Sequence, residues 1–436
     1  MPPPSNRTDQ SPASPGAGAT VDQWLAYLEA IHPTEIDLGL DRVLVVFRRL
    51  FRRKPGARII TVAGTNGKGS AVAAVEALLR AGGRRTGAYT SPHLQRYNER
   101  VRVNGEDISD QALVKAFEAV EAARGNVSLT YFEFGTLAAF VAFANADLDD
   151  WVLEVGLGGR LDAVNVMDAD LAILTSVDID HVAFLGDNRE VIGFEKAGVL
   201  RPGIPAVYAD TDPPRSVLQQ SAAQKVKLEL FGRDYRLETE HQDGSDLPVV
   251  MLSYSGQSVR LPAGPLPVKS VAAAVVAIRK LEPDLSVSVI ERVLSGLSVP
   301  GRFERLATSP DIFLDVGHNP HAAGWLSDQL SNLKSGGAVV HAVYGALADK
   351  DVEGVAAAMS QVVDHWYLTG LSVPRGLSGE VLKARLGAAG ISDGMVFESV
   401  QEALSSAVSA ASPTDVVVVF GSFYTVAKGR EILLGQ

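Results

Sequence analysis

Residues 58–70 read Arg-Ile-Ile-Thr-Val-Ala-Gly-Thr-Asn-Gly-Lys-Gly-Ser: an apolar, β-rich run, then a glycine-rich turn, then an alanine-rich stretch. The pattern predicts a buried strand over Arg58–Ala63 and a helix over Ser70–Ala81. A strand feeding a glycine turn that opens a helix is the setting of a phosphate-binding loop. Three glycines within six residues (Gly64, Gly67, Gly69) let backbone N–H groups turn inward around phosphate oxygens. The helix N-terminus adds its dipole. Lys68 supplies a point charge for the β- and γ-phosphates of ATP. Gly64, Thr65, Asn66, Gly67, Lys68, Gly69 and Ser70 are the predicted nucleotide contacts. The run is not G-x-x-x-x-G-K-[ST], because Gly69 stands between Lys68 and Ser70. A ligand-free turn is the bland alternative, and a lysine set among three glycines argues against it.

Outward from this loop, short apolar runs alternate with helical stretches. Thr86–Thr90, Trp151–Val155 and Leu171–Val177 are predicted strands. Their runs are continuous rather than alternating, the mark of parallel strands covered on both faces. The expected fold is therefore α/β, a doubly wound and mainly parallel sheet. Before it, Trp24, Leu25, Tyr27, Leu28 and Ile31 predict an amphipathic helix from Val21 that ends at His32-Pro33. Residues 225–265 are polar with period-two alternation and suggest a small antiparallel element. Leu297-Ser298-Val299-Pro300-Gly301 marks a boundary. Beyond it Ile312–Val316, Val339–Tyr344, His365–Thr369 and Val416–Phe420 predict a second, smaller Rossmann-like α/β domain. The expected division is a disordered tail at 1–20, an ATP-binding domain at 21–297 and a C-terminal domain at 298–436.

Composition narrows the function. The 436 residues carry 40 Lys plus Arg against 51 Asp plus Glu, a net charge of −11. A nucleic-acid partner would want the opposite sign. Cysteine is absent, which removes disulfides, thiolate nucleophiles and Cys-ligated metals. Any metal is then held by oxygen or imidazole, which favours Mg²⁺ or Mn²⁺. No run approaches the ~18 apolar residues that span a bilayer. The tail lacks an apolar signal core, so a cytoplasmic protein with no membrane or nucleic-acid partner is expected.

Several polar residues leave predicted strand ends and should reach the crevice that holds the loop. Ser91 follows Thr86–Thr90, Glu154 is the one acid in Trp-Val-Leu-Glu-Val, and Asp178, Asp180 and His181 follow Leu171–Val177. A hydroxyl, a carboxylate and an imidazole could share one divalent ion with ATP phosphates. A helix cap for Ser91, an ion pair for Glu154 and a loop hydrogen bond for His181 are the structural alternatives. Spacing alone makes Glu195 and Lys196 a solvated helix pair. Asp315-Val316-Gly317-His318-Asn319-Pro320 after a strand is a capped turn or a nucleotide contact. Arg96, Arg100 and Arg102 cluster beside the Ser91 loop, as an acidic substrate would require.

Taken together the motifs resemble a known family. GTNGKGS at 64–70, TSPHL at 90–94, YNERVRVNG at 97–105, EVGLGGRLDAVN at 154–165, DIDH at 178–181, EKAG at 195–198, PGRFE at 300–304 and DVGHNPHA at 315–322 fall in its order. The chain, from about Val21 to about Lys428, resembles the bacterial bifunctional dihydrofolate synthase/folylpolyglutamate synthases of the Mur ligase superfamily. The resemblance implies an ATP-dependent amide ligase that joins L-glutamate to dihydropteroate and to reduced folates through an acyl phosphate. It implies Ser91, Glu154 and His181 as Mg²⁺ ligands, with Lys68, Glu154, His181 and Lys196 as the catalytic set. Lys196 resembles a lysine that is carbamylated in the superfamily, serving one of one or two Mg²⁺ ions. That reverses the solvated-pair reading. Arg302 and Asp315 resemble residues that hold ATP from the second domain. Ser270 stands where the family often has a nucleotide-contacting Asn. Glu35, Ile36, Asp37 and Leu38, with Thr130, Tyr131, Phe132 and Glu133 and with Leu161, Asp162 and Ala163, resemble the walls of a pterin pocket. The glutamate pocket is not legible; His318, Ser422 and Tyr424 are the nearby candidates.

A kinase, a guanine-nucleotide switch and a cell-wall Mur ligase are the rival functions. The switch is disfavoured because Ala348-Asp349-Lys350-Asp351 lacks the Asn of a guanine motif. The pterin-type segments disfavour the cell-wall ligase. Only small-molecule partners and a monomer are expected.

Overall fold

The first ordered element follows from its cap. Thr20 and Gln23 exchange side-chain and backbone hydrogen bonds in a capping box, which starts the helix Val21–Ala30. The helix buries Trp24, Tyr27 and Leu28 on one face, and it ends before Pro33 as predicted. The structure, a computed structural model, describes residues 13–16, 18–34, 36–240, 249–262, 264–334 and 336–435. Residues 1–12 and 17 of the predicted tail lie outside the described residues.

The run at 58–63 forms β1 (Arg58–Ala63). With β2 (Thr86–Tyr89), β3 (Val101–Val103), β4 (Glu106–Asp107), β5 (Asp150–Glu154), β6 (Leu171–Leu174), β7 (Pro205–Tyr208) and β8 (Lys227–Leu230) it makes an eight-stranded sheet ordered β4-β3-β2-β5-β1-β6-β7-β8. β2 and β5 to β8 run parallel with β1, while β3 and β4 form an antiparallel edge. β1 lies between β5 and β6, in register Val62 against Glu154 and against Ile173.

Two sequence expectations are corrected. β6 stops at Leu174 rather than Val177, because Ser176 turns its carbonyl and hydroxyl to the phosphate loop. Residues 227–230 do not join the antiparallel element; they extend the main sheet beside β7. The antiparallel element is β9 (Tyr235–Glu240), β10 (Val249–Tyr254) and β11 (Gln257–Leu261).

Helices cover both faces of the main sheet. On one, Tyr131–Asn145 is buried almost throughout, and its Phe140 ring stacks on Trp151 at 5.7 Å. On the other, Lys68–Ala81 and Val268–Leu281 meet through wholly buried alanines (Ala71, Ala74, Ala273, Ala274), which let the backbones approach closely. Each large side chain so buried contributes roughly 1.5–3 kcal/mol.

After the helix Val287–Ser295 the chain enters a second sheet. β12 (Glu304–Ala307), β13 (Asp311–Asp315), β14 (Val340–Tyr344), β15 (His365–Thr369), β16 (Met395–Phe397) and β17 (Val416–Phe420) lie in the order β12-β13-β17-β14-β15-β16. Only β12 is antiparallel. The four apolar runs of the sequence become β13, β14, β15 and β17. β12 and β16 are short edge strands with partly exposed side chains, of four and three residues. Among the described residues no helix is long and apolar enough to cross a membrane.

Candidate active site

The C-terminal ends of the parallel strands converge. β1 leads into the phosphate loop, β2 towards Ser91, β5 ends on Glu154, β6 leads to Asp178–His181 and β7 to Asp210. Successive crossovers pass to opposite sides of β1, so a crevice opens at its end.

The loop is braced from below. Thr65 N–H donates to the Ser176 carbonyl (2.8 Å) and Asn66 N–H to the Ser176 hydroxyl (3.1 Å). The Thr65 hydroxyl donates to the Asp178 carbonyl (3.1 Å) and accepts from Asp178 N–H (3.0 Å). Gly67 has φ 79°, and a Cβ there would stand 2.2 Å from Ser270 Oγ. Only glycine fits, and Ser270 is thereby placed against the loop. The helix starts at Lys68, two residues before the predicted Ser70, and the Lys68 ammonium curls back to the Thr65 carbonyl (3.2 Å). The Ser70 hydroxyl is buried with no hydrogen-bond partner. Such an orphan is costly unless a ligand completes it, and it sits in the first helical turn where phosphates and their cation belong.

The metal candidates assemble in part through direct contact. Glu154 is 4% exposed and accepts from Ser91 N–H at 3.3 Å. Burial raises its proton affinity, while Lys68 and Arg302 draw it back down. His181 takes a left-handed backbone (φ 52°) at the start of the turn Val182–Leu185. Desolvation, against the pull of Asp180, lowers its pKa to about 4. The imidazole is thus neutral, the form that ligates metals. Among the described residues no group of three or more His, Asp or Glu side chains is set to hold a metal by itself. One carboxylate, one imidazole and one hydroxyl fit an ion that takes its remaining oxygens from ATP phosphates and water.

Gly69 shows how the two units meet. A methyl there would lie 3.7 Å from the Arg302 guanidinium and 3.7 Å from Glu154 Oε2. Arg302 also lies over the Phe423 ring, 5.1 Å from its centroid. Asp315 is buried, and its two oxygens accept from Gly317 N–H (2.7 Å) and Phe303 N–H (2.9 Å). It therefore fixes the backbone beside Arg302.

Lys196 departs most from its spacing-based reading. It is 4% exposed, not solvated, and donates to the Gly64 carbonyl at 3.0 Å. Burial, reinforced by Lys68, lowers its pKa to about 7. Its neighbour Glu195 is half-buried and pairs with the more exposed Arg160 (2.9 Å).

The segments expected to wall a second pocket are joined by direct contacts. Glu35 lies outside the described residues. Asp37 pairs with Arg42 (2.5 Å), and Arg42 also bonds the buried Glu133 (2.8 Å). Thr130 and Glu133 form a capping box for Tyr131–Asn145. The Phe132 ring packs against Gly156, 2.5 Å from where a Cβ would be. Asp162 is buried and accepts from Leu157 N–H (2.8 Å) and Val164 N–H (3.0 Å); burial lifts its pKa to about 6. Ala163 is buried beside it, while Leu161 is half-buried. Ile36 and Leu38 are half-buried on the segment that Arg42 ties down. Segments 36–38 and 130–133 are thus linked through Arg42, and Phe132 meets the glycine loop that Asp162 fastens.

Of the arginine cluster, Arg96 is neutralised by Asp110 (2.8 Å) and Arg102 by Glu76 (2.5 Å). Arg100 is buried without an acidic partner among the described residues. It donates to His93 (2.8 Å) and lies over the Tyr97 and Tyr131 rings.

Sequence reasoning missed the links between the units. The Asn66 and Asn319 amides exchange hydrogen bonds (3.1 and 3.0 Å). Asn319 also donates to Asp180 (3.2 Å), and the Lys350 ammonium donates to Asp180 at 2.8 Å. His321 meets Asn66 at 3.0 Å. The His-Asn-Pro run was visible as a motif, but Lys350 carried no signal beyond a failed guanine motif.

Comparison with known proteins agrees with this geometry. Residues 301–423 match the family described as Mur ligase, glutamate ligase domain. A phosphate-loop α/β unit joined to such a domain defines an ATP-dependent ligase of the Mur type. The dihydrofolate synthase/folylpolyglutamate synthase of Escherichia coli is 41% identical over 420 residues, covering 96% of this chain and 97% of its own. That of Haemophilus influenzae is 40% identical over 438 residues, covering 94% and 97%. The chain belongs to the dihydrofolate synthase/folylpolyglutamate synthase family. Solved structures agree. E. coli FolC in complex with DHPP and ADP has a TM-score of 0.91 at 40% identity, covering 97% of this chain and 99% of that one. The Yersinia pestis bifunctional enzyme complexed with AMPPNP and Mn ion has a TM-score of 0.89 at 41% identity, covering 97% and 100%.

Proposed function

We propose that this protein joins L-glutamate to dihydropteroate and to reduced folates, converting ATP to ADP and phosphate. The observation that carries this reading is the meeting at Gly69, where the phosphate loop, Glu154 and Arg302 of the other unit come within a methyl group's reach. The names of the relatives and the ligands of their structures support it.

The divalent ion is Mg²⁺, held by Ser91, Glu154 and His181. When bound it supplies positive charge to the phosphates. Lys68 and Arg302 stabilise charge on the transferring phosphoryl group. A carboxylate oxygen of the acceptor bonds to the γ-phosphorus as the bond to ADP breaks. The glutamate amine nitrogen then bonds to the acyl carbon, and inorganic phosphate leaves. The protein's share is to position the reactants and keep water from the acyl phosphate. Arg100, the member of its cluster without an acidic partner among the described residues, receives a substrate carboxylate. The uncharged Lys196 amine would add CO2 and lose a proton to form a carbamate, which would place a carboxylate beside Gly64 for a second ion. Ile36 to Leu38, Thr130 to Glu133 and Leu161 to Ala163 enclose the pterin. Ser270 and Asp315 complete the nucleotide site. The boundary at 297/298 separates two units that close over the nucleotide. The enzyme acts as a monomer in the cytoplasm.

An ADP-release assay tests this with dihydropteroate and a reduced folate compared as acceptors. Over many turnovers, ADP should keep forming only when an acceptor and glutamate are both present. ADP formation indifferent to glutamate would mean a kinase or NTPase instead.

A further inference from the structure

Lys350 has no part in the chemistry above, yet it is only 9% exposed. Its backbone is held in place: the carbonyl accepts from Val352 N–H (3.0 Å) and from the Arg385 guanidinium (3.2 Å). From the C-terminal unit its ammonium reaches Asp180 Oδ1 at 2.8 Å. That same oxygen accepts the backbone N–H of His181 at 2.7 Å. Asp180 Oδ2 is taken by Asn319 (3.2 Å), with His318 Nε2 at 3.6 Å. His181 sits at φ 52°, a conformation that non-glycine residues keep only when their surroundings hold them. One carboxylate oxygen therefore joins a lysine of one unit to the backbone that aims an imidazole of the other.

We infer that Lys350 is a positioning residue. Holding Asp180 from the opposite unit, it fixes the His181 imidazole where the divalent ion binds. The ion is then held tightly only while the two units are together. The role is that of an outer partner that orients a ligand, here supplied across a unit boundary. It rests on the proposed assignment of His181 as a metal ligand.

The test measures Mn²⁺ binding to the full chain with a non-hydrolysable ATP analogue, by electron paramagnetic resonance of free Mn²⁺. Lys350→Met keeps the aliphatic stem and removes the charge. Its Mn²⁺ dissociation constant should rise about tenfold, and Lys350→Arg should recover most of the loss. Asp180→Asn leaves Lys350 in place and must reproduce the weakening, so the link is tested whether or not Lys350→Met folds. The double variant should bind no worse than Lys350→Met, since the two residues act as one unit. His181→Ala distinguishes the metal assignment from the positioning role. If it binds Mn²⁺ as the parent does, the metal assignment fails and this proposal with it. If it weakens Mn²⁺ while Lys350→Met and Asp180→Asn do not, the positioning role alone is overturned.

Discussion

At the residue scale, two positions show how far backbone and burial dictate chemistry. Gly67 combines a left-handed backbone with a Ser270 hydroxyl 2.2 Å from any added Cβ. Gly67→Ala should therefore displace the loop and weaken ATP binding at least tenfold, read by isothermal titration, while the far-UV circular dichroism stays native. Lys196 carries a pH signature. Its folded pKa of about 7 lies below the ordinary 10.5 because burial disfavours the charged form. Between about pH 7 and 10 the unfolded chain binds the extra proton, so this group's contribution to stability improves as pH rises and is most unfavourable below 7. Urea unfolding of the unmodified chain should show that slope, and Lys196→Met should lose it. Neither property follows from local spacing, which put Lys196 on a solvated face. Its burial depends on Gly159 letting the helix end pack closely, a Cβ there falling 2.7 Å from the Glu195 carbonyl.

Elements tell a more legible story. Strands with unbroken apolar runs were readable because both faces are covered by helices, so β1, β5, β15 and β17 fall within a residue of their expected spans. Residues 227–230 depart from the expected antiparallel element: Lys-Leu-Glu-Leu alternates as an antiparallel strand would, yet its place at the sheet edge leaves its side chains half-exposed in a parallel ladder. Helix caps are readable in principle: Thr130 and Glu133, which the resemblance implies as pocket walls, also form a capping box. Their joint role predicts a stability effect. Glu133 is buried and receives two hydrogen bonds from Arg42, which also anchors the 36–38 segment through Asp37. Arg42→Ala removes charge-assisted bonds from a buried carboxylate and should cost about 2 kcal/mol. Urea denaturation should show it, with a raised KM for the pterin substrate as Asp37 is released.

For the whole molecule, the site exists only where two sheets meet. Residues 66 and 319 lie 253 positions apart, and 180 and 350 lie 170 apart. No periodicity reports such pairings, which is why the phosphate loop was legible and its clasp was not. Asn319 is buried and satisfies Asn66 and Asp180 together. Asn319→Ala should open the interface, raise the KM for ATP several-fold and lower kcat, because misplaced reactants react slowly. Small-angle scattering with a bound ATP analogue should register the larger radius of gyration. The clasp has one further consequence. Two amides that each give and take a proton contact form a junction without net charge, and the neighbouring ion pair is sheltered from solvent. Ions in the medium have little purchase on either. A rise in ionic strength that weakens the binding of anionic substrates would leave the two halves joined, so salt can empty this enzyme without pulling it apart.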